Sequence, residues 1–227
     1  MKDLLEFEKK INYIFKNKKL LKEAFTHCSY LNEYNNKNIN HNERLEFLGD
    51  AVLELAATKF LYNKFPKKTE GELTSIRSAL VNTYSLSKKS SELELNNYIL
   101  LAKGEKDSKK GRHHILANTF EAIIGAIFID SGFEKAEDFL EKNLFDYVDE
   151  IIKNKLYNDP KSHFQELAQE HKKITPTYKL IKDKGPDHDK IFVLGLYLGK
   201  ELIASGEGSS KQKAEVDAAK NALKKIK

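Results

Sequence analysis

The spacing of apolar residues changes near Pro160, and this change constrains the fold more than any other feature of the chain. Before it, apolar residues return every three or four positions and Pro66 is the only proline, which is the pattern of amphipathic helices. We therefore expect an all-α first part. Two segments interrupt the pattern with asparagine, or with glycine and basic residues, and are predicted loops: Asn32–Asn42 and Lys103–His114.

The segment after Pro160 has a different character. Runs typical of strands, separated by turn residues, lie between two helical patterns and predict the order α-β-β-β-α. This is a small α+β unit in which two helices cover one face of an antiparallel sheet. Such a unit buries enough apolar surface to fold. The predicted elements are helix Ser162–His171, strands Thr177–Lys182, Ile191–Leu198 and Glu201–Ser205, and helix Ser209–Ile226.

Charge and composition narrow the function classes. All of the net charge of +5 falls after residue 159, where 14 lysines face 9 acidic residues. This favours a polyanion-binding module, although a lysine-rich composition alone gives the same sign. The single cysteine, Cys28, cannot form an internal disulfide, and the N-terminus does not resemble a signal peptide. The longest apolar stretch, Ile115–Ile129, is interrupted by polar residues and shorter than a bilayer span. We expect a cytoplasmic protein without a transmembrane helix.

Four carboxylates recur along one predicted helix. At 100° per residue they share a sector about 80° wide, and the apolar side chains of the same helix fall on the opposite side. The acidic residues are Glu43, Glu46, Asp50 and Glu54, and the apolar ones are Leu45, Leu48, Val52 and Leu55. Like charges at this spacing repel one another, and Gly49 in mid-helix costs about 1 kcal/mol relative to alanine. The pattern fits either an ordinary solvated face or a site that holds a cation.

A second helical segment carries a carboxylate in apolar surroundings. Glu121 lies within Ile115–Ile129, where we expect it to be buried, and Asn118 precedes it by one turn on the same side. A buried carboxylate must be neutralised by protonation, a partner or a metal. One alternative is an ion pair with a buried Arg44 or Arg77.

The other alternative brings the two helices together. Gly49 and Gly125 would let them approach closely, and an oxygen-only cluster would form. Its members would be Glu46, Asp50, Asn118 and Glu121. Such a donor set is preferred by Mg²⁺ or Mn²⁺. A hard cation beside a polyanion-binding module indicates phosphodiester hydrolysis, in which the metal activates water and neutralises the phosphate.

These residues carry a family resemblance that spans nearly the whole chain. Asn42–Leu53 resembles, almost letter for letter, the signature of the ribonuclease III family, and the segment after Pro160 resembles a double-stranded RNA-binding domain. Three further family motifs appear in order: Phe25–Tyr30, Glu70–Asn82 and Leu116–Gly125. The resemblance implies an all-α endonuclease domain over residues 1–153, a linker over 154–159 and an RNA-binding domain over 160–227.

The resemblance also implies a homodimer with two Mg²⁺-dependent sites in one valley, each cutting one strand of duplex RNA. Products would carry 5′-phosphate and 3′-hydroxyl ends with short 3′ overhangs. By motif position, the catalytic residues are Glu46, Asp50 and Glu121, the metal ligands are these three with Asn118, and the supporting acids are Glu43 and Glu70. Many family members have aspartate in place of Asn118, which keeps a carbonyl oxygen but lacks the charge. Glu70 has a competing explanation, because Thr69–Glu72 fits a helix capping box.

The RNA-binding module offers the three contacts expected of its fold: a first helix, a loop between strands and the N-terminus of the last helix. The predicted contact residues are Gln165, Glu166, His188, Ser210, Lys211, Gln212 and Lys213. The two lysines would contact phosphate, or would simply lie on a solvated helix face. Gln212 replaces a basic residue of the family and weakens that contact.

The sequence leaves three functions to compare. The first is a double-stranded-RNA endoribonuclease that processes ribosomal RNA, messenger RNA and other structured precursors. The second is a protein of the same fold that binds duplex RNA without cutting it, which is motivated by Asn118 and Gln212. The third is a metal phosphohydrolase for small molecules, for which a basic appendage has no evident use. Cleavage of duplex RNA separates the first from the others.

Overall fold

The structure is a computed structural model that describes residues 3–34, 39–108, 111–157, 160–186 and 190–225. The chain forms two compact units, Met1–Tyr157 and Asn158–Lys227. His188, one of the predicted RNA contacts, lies outside the described residues.

The first unit is helical, as predicted. Its helices are α1 (Leu4–Ile11), α2 (Lys18–Ala24), α3 (Cys28–Tyr34), α4 (Glu43–Lys64), α5 (Glu70–Val81), α6 (Thr83–Glu92), α7 (Lys103–Asp107), α8 (Arg112–Ser131), α9 (Phe133–Asn143) and α10 (Tyr147–Lys153), with a 3₁₀ turn at Leu95–Asn97. A single parallel bridge joins Thr26 to Leu100. All-α is therefore the class of this unit.

Helix α8 forms the centre of this unit. It packs against α2, α4, α6 and α9, and most of its apolar side chains are buried, among them Phe120, Ile123 and Ile127. The helix has 20 residues and is long and apolar enough to cross a membrane, so the sequence argument from length does not hold. However, 61% of its apolar window is buried inside the protein. Helix α8 is therefore a core helix of the first unit.

The predicted loop Lys103–His114 is wrong in part, because it contains α7 and the first turn of α8. Tertiary contacts explain the difference. The Glu33 carboxylate of α3 accepts a hydrogen bond from the Lys103 N–H at 2.8 Å, and the Ser29 hydroxyl accepts one from the Ala102 N–H at 3.2 Å. These side chains satisfy amide groups at the start of α7 that local sequence leaves unpaired. Helix α3 likewise continues to Tyr34, inside the other predicted loop.

The second unit has the predicted order α-β-β-β-α. Its elements are α11 (Pro160–Lys172), β1 (Thr177–Lys184), β2 (Ile191–Leu198), β3 (Glu201–Gly208) and α12 (Lys211–Leu223). The strands form an antiparallel sheet in the order β1-β2-β3. Strands β1 and β3 are longer than predicted, and α12 is shorter at both ends. Phe164 and the alanines of α12 pack on one face of the sheet against Leu196, Leu198 and Ala204.

Candidate active site

Two glycines set the crossing of α4 and α8. A Cβ atom added to Gly49 would lie 1.8 Å from the carbonyl oxygen of Glu121, and one added to Gly125 would lie 2.2 Å from the carbonyl oxygen of Leu45. The two backbones are therefore in direct contact, as the sequence predicted. Glu46 and Asp50 lie next to Gly49 along α4, so the crossing brings their side chains towards Glu121.

Three carboxyl groups interact at this crossing. Asp50 is exposed, whereas Glu46 and Glu121 are half-buried. Burial is the main cause that raises the pKa of Glu121 to about 8, and the charges of Asp50 and Glu46 add to it. Glu121 was expected to be buried and is only half-buried, because it lies at the edge of the core where α8 faces the start of α4. A cluster of three carboxyl groups at close range favours any cation that can reach it.

Asn118 contacts the same cluster. Its side-chain amide donates a hydrogen bond to the Glu46 carboxylate, which opposes the rise in the pKa of Glu46 caused by burial and by the charges of Glu43 and Asp50. The amide therefore favours the ionised form of Glu46. A carboxylate at position 118 would supply no such donor.

No arginine neutralises Glu121 among the residues that the structure describes. The Arg77 guanidinium instead lies 2.9 Å from Glu54 and donates a hydrogen bond to the Thr58 hydroxyl at 2.8 Å. Arg44 is exposed. The alternative in which Glu121 forms an ion pair with a buried Arg44 or Arg77 is therefore wrong, and the cluster keeps an excess of negative charge.

The donor chemistry of this cluster fits a hard divalent cation. The charges of Asp50 and Glu46 act on Glu121, the Asn118 amide contacts Glu46, and among the described residues no cationic side chain forms an ion pair with these three carboxyl groups. Within the described ranges, no three Asp, Glu, His or Cys side chains are already close enough together to hold an ion. Mg²⁺ keeps several waters and usually takes one or two carboxylates together with substrate phosphates, so it does not need an all-protein set of ligands.

The two supporting acids differ in their relation to this cluster, because the charge of Glu43 acts on Glu46 and Glu70 has its described contacts within α5. Glu43 accepts a hydrogen bond from the Cys28 thiol and lies 3.7 Å from Nδ1 of His41. Glu70 is the exposed first residue of α5 and accepts a hydrogen bond from the Thr74 hydroxyl at 3.1 Å. The capping box is present, but it joins Thr69 to Glu72. The cap therefore does not require Glu70.

Sequence reasoning missed one surface of α4. Leu55 was expected in the packing face, but 60% of it is exposed, together with 80% of Phe47 and 72% of Tyr62. At 100° per residue these three side chains lie within a sector of about 80°. We call them the apolar stripe of α4. The sequence shows apolar residues on two sides of this helix, but it does not tell which of them are buried.

The second unit presents its described contact residues at the start of α12 and in the middle of α11. Ser210 is the N-cap of α12, and its hydroxyl accepts a hydrogen bond from the Lys213 N–H at 3.2 Å. Lys211, Gln212 and Lys213 are exposed in the first turn of α12, and Gln165 and Glu166 are exposed in the middle of α11. The N-terminus of a helix with two exposed lysines attracts phosphate groups.

Comparison with known proteins agrees with both units. Residues 17–148 match a family model described as ribonuclease-III-like, and residues 160–226 match the double-stranded RNA binding motif. The chain is 44% identical over 228 residues to ribonuclease 3 of a Nitratiruptor species, covering all of this chain and 98% of that protein. It is 47% identical over 224 residues to ribonuclease 3 of Borreliella burgdorferi, and the match covers 97% of this chain and 90% of that protein.

A solved structure matches the first unit. It is the nuclease domain of ribonuclease III from Campylobacter jejuni, whose description refers to a region involved in dimer formation. That domain is 42% identical, with a TM-score of 0.55, and the match covers 62% of this chain and 98% of that chain.

Proposed function

The chain belongs to the ribonuclease III family, and on this premise we propose that it is an Mg²⁺-dependent endoribonuclease that cleaves double-stranded RNA at the crossing of α4 and α8. The observation that carries the proposal is the uncompensated group of Glu46, Asp50 and Glu121 where the two helices meet. The homologues named ribonuclease 3, matched along nearly their full length, support the same activity.

The residues at the crossing are proposed to hold the metal, and the neighbouring acids are proposed to support it. Glu46, Asp50, Asn118 and Glu121 are the proposed metal ligands, and Mn²⁺ is expected to substitute because the donors are all oxygen. When bound, the metal neutralises charge on the scissile phosphate and lowers the pKa of the attacking water. Asn118 orients Glu46 through its amide, and Glu43 and Glu70 are proposed to support the site through their charge. Water adds to phosphorus, and the 3′ oxygen of the preceding nucleotide leaves, which gives 5′-phosphate and 3′-hydroxyl ends.

The second unit is proposed to hold the duplex. The N-terminus of α12 faces phosphates through Ser210, Lys211, Gln212 and Lys213, while Gln165 and Glu166 of α11 contact the minor groove, with His188 as a further predicted contact. We propose that the chain acts in the cytoplasm on ribosomal RNA and other structured precursors.

The phosphate contacts are tested by salt dependence. We expect Lys211→Gln/Lys213→Gln to weaken duplex RNA binding uniformly across sequences and to reduce the slope of log affinity against log salt by about 2, since each phosphate contact contributes about 1. Lys220→Gln, near the other end of α12, is the control. An unchanged slope in the double variant would assign both lysines to a solvated face.

Asn118→Asp tests the unusual ligand. The added charge is expected to lower the Mg²⁺ concentration for half-maximal cleavage by about tenfold, which corresponds to about 1.4 kcal/mol of added attraction. A labelled RNA hairpin titrated with Mg²⁺ measures it. If the parent chain cuts at no Mg²⁺ concentration and only Asn118→Asp cuts, the natural chain is a duplex-binding protein and the proposal is wrong.

The apolar stripe of α4 is the proposed centre of the homodimer. Exposed aromatic and aliphatic side chains of this extent are typical of protein interfaces. We expect Phe47→Asp to convert the protein from dimer to monomer in sedimentation velocity, because it places a charge in an apolar interface. Ile14→Asp is the matched control, since 76% of Ile14 is exposed elsewhere in the same unit. If the Phe47→Asp variant remains a dimer, the interface lies on another surface.

A further inference from the structure

The sheet of the second unit leaves one face without helices. Strand β2 alternates across the sheet, so Leu196 and Leu198 face the helices, and the intervening side chains face the other way. Val193, Gly195 and Tyr197 of β2 lie on this second face. We call it the open face of the sheet.

Apolar side chains meet at the centre of the open face. A Cβ atom added to Gly195 would lie 2.8 Å from Leu202 Cδ1, 2.8 Å from Tyr197 Cε2 and 3.0 Å from Ile181 Cδ1. These three side chains therefore close over the glycine and form one continuous patch. Even so, 45% of Ile181 and 49% of Leu202 remain exposed, and 41% of Ile191 beside them. Exposed apolar patches of this kind mark interaction sites.

Three lysines line one side of this patch. The register of β1 pairs Lys179 with Gly195, Lys182 with Val193 and Lys184 with Ile191. All three partners lie on the open face of β2, so the three lysines share that face. The Lys179 ammonium group lies 5.3 Å from the centre of the Tyr197 ring. Within the described ranges, none of the three forms an ion pair with an acidic side chain.

On the opposite edge, Glu207 of β3 is paired in register with Val193. The open face is therefore apolar at its centre and positive along β1. Its natural complement is a segment with apolar side chains on one side and carboxylates beside them.

We propose that the open face binds an acidic, amphipathic peptide segment of another protein. Charge complementarity selects the partner, because a second copy of this face would bring either its own lysines or the single carboxylate of Glu207 against the three lysines. Duplex RNA is a poorer match, since its accessible surface of phosphates and hydroxyls offers nothing to the apolar centre. The predicted RNA contacts whose positions the structure describes lie on α11 and at the start of α12, which cover the other face, so we expect the peptide and the duplex to bind at the same time.

The test uses the full chain and a fluorescein-labelled peptide in which leucine and glutamate alternate. Fluorescence anisotropy is expected to show binding that weakens with salt, and a matched peptide of alternating leucine and lysine is expected not to bind. The triple variant Lys179→Glu/Lys182→Glu/Lys184→Glu is expected to weaken binding by about tenfold or more. Ile181→Ser/Leu202→Ser removes the apolar part and is expected to weaken binding at unchanged charge.

The controls separate this surface from the RNA-binding surface. Lys200→Glu/Lys220→Glu/Lys224→Glu makes the same charge change away from the open face and is expected to leave peptide binding unchanged. A saturating short RNA duplex is expected not to displace the peptide. The proposal is overturned if the peptide does not bind, if both triple variants weaken it equally, or if the duplex competes with it. Binding of anionic phosphatidylglycerol vesicles without binding of the peptide would instead identify a lipid surface and overturn it as well.

Discussion

Glu121→Gln is expected to abolish RNA cleavage, by about a thousandfold or more, while duplex RNA binding persists. The change removes one anionic ligand from the cluster and leaves the second unit intact. Metal coordination contributes several kcal/mol to such a transition state, and each 1.36 kcal/mol is tenfold in rate. Cleavage of a labelled hairpin at saturating Mg²⁺ measures the loss, and a filter-binding titration in the presence of chelator measures RNA affinity. Glu134→Gln, an exposed acid of α9, is the control.

The same substitution is expected to stabilise the metal-free protein at alkaline pH. The pKa of Glu121 is raised from 4.5 to about 8 in the folded state, mainly by burial. The folded protein therefore holds this proton up to a higher pH than the unfolded chain does, and the stability it contributes is lost as pH rises between these values. Glutamine at position 121 does not titrate, so the variant does not lose stability for this reason over the same pH range.

Urea unfolding in chelator checks the sign of this effect. Glu121→Gln and the parent are expected to have similar stabilities below pH 4.5, and the variant is expected to be more stable above pH 8 by on the order of 1–3 kcal/mol after solvent screening. A variant that loses both cleavage and stability at every pH would show that Glu121 acts in folding rather than in the site.

Gly49→Ala is expected to destabilise the first unit by about 3 kcal/mol or more, although alanine is the better helix former. The new methyl carbon would lie 1.8 Å from the Glu121 carbonyl oxygen, so α4 and α8 must separate. Overpacking of rigid elements costs about 1–3 kcal/mol and occasionally more, which exceeds the gain of about 1 kcal/mol in helix propensity. Because Glu121 moves with its backbone, cleavage is expected to fall as well.

Gly71→Ala is the matched control for this substitution. Gly71 also lies in a helix, in the first turn of α5, but an added Cβ would meet no atom within 4 Å other than the adjacent backbone of that helix. The same chemical change is therefore expected to stabilise the protein by about 1 kcal/mol. Thermal unfolding of both variants measures the difference in sign. Equal effects at the two positions would show that α4 and α8 do not touch through their backbones.

Periodicity was sufficient to predict the class of each unit, and the two mid-helix glycines suggested the crossing of the two signature helices as one of two alternatives. Gly49 and Gly125 were informative because glycine in mid-helix costs stability and so indicates a close approach. The exposure of Leu55 was not predictable, because an apolar residue on a helix is compatible with a core or with an interface. Helix α7 was missed because Glu33 and Ser29, distant in sequence, satisfy the amides at its start.

The sequence also could not predict how deeply Glu121 is buried. An apolar helix indicates a buried position, but only the packing of α4 decides which part of α8 stays open to water. The partial exposure has a functional sense, since a fully enclosed carboxyl group could not reach a phosphate of the substrate.

The backbone contact between α4 and α8 has a further consequence for the growing chain. Asp50 and Glu121 are about seventy residues apart in sequence, so the contact is non-local and carries the loop-closure cost of a long segment. During synthesis, the cluster cannot form until α8 has been made and has packed against α4. On the proposed assignment of the site, a nascent or truncated chain that ends before α8 lacks one of the required carboxylates and is expected not to cut RNA. The long separation in sequence would then make nuclease activity conditional on a finished fold.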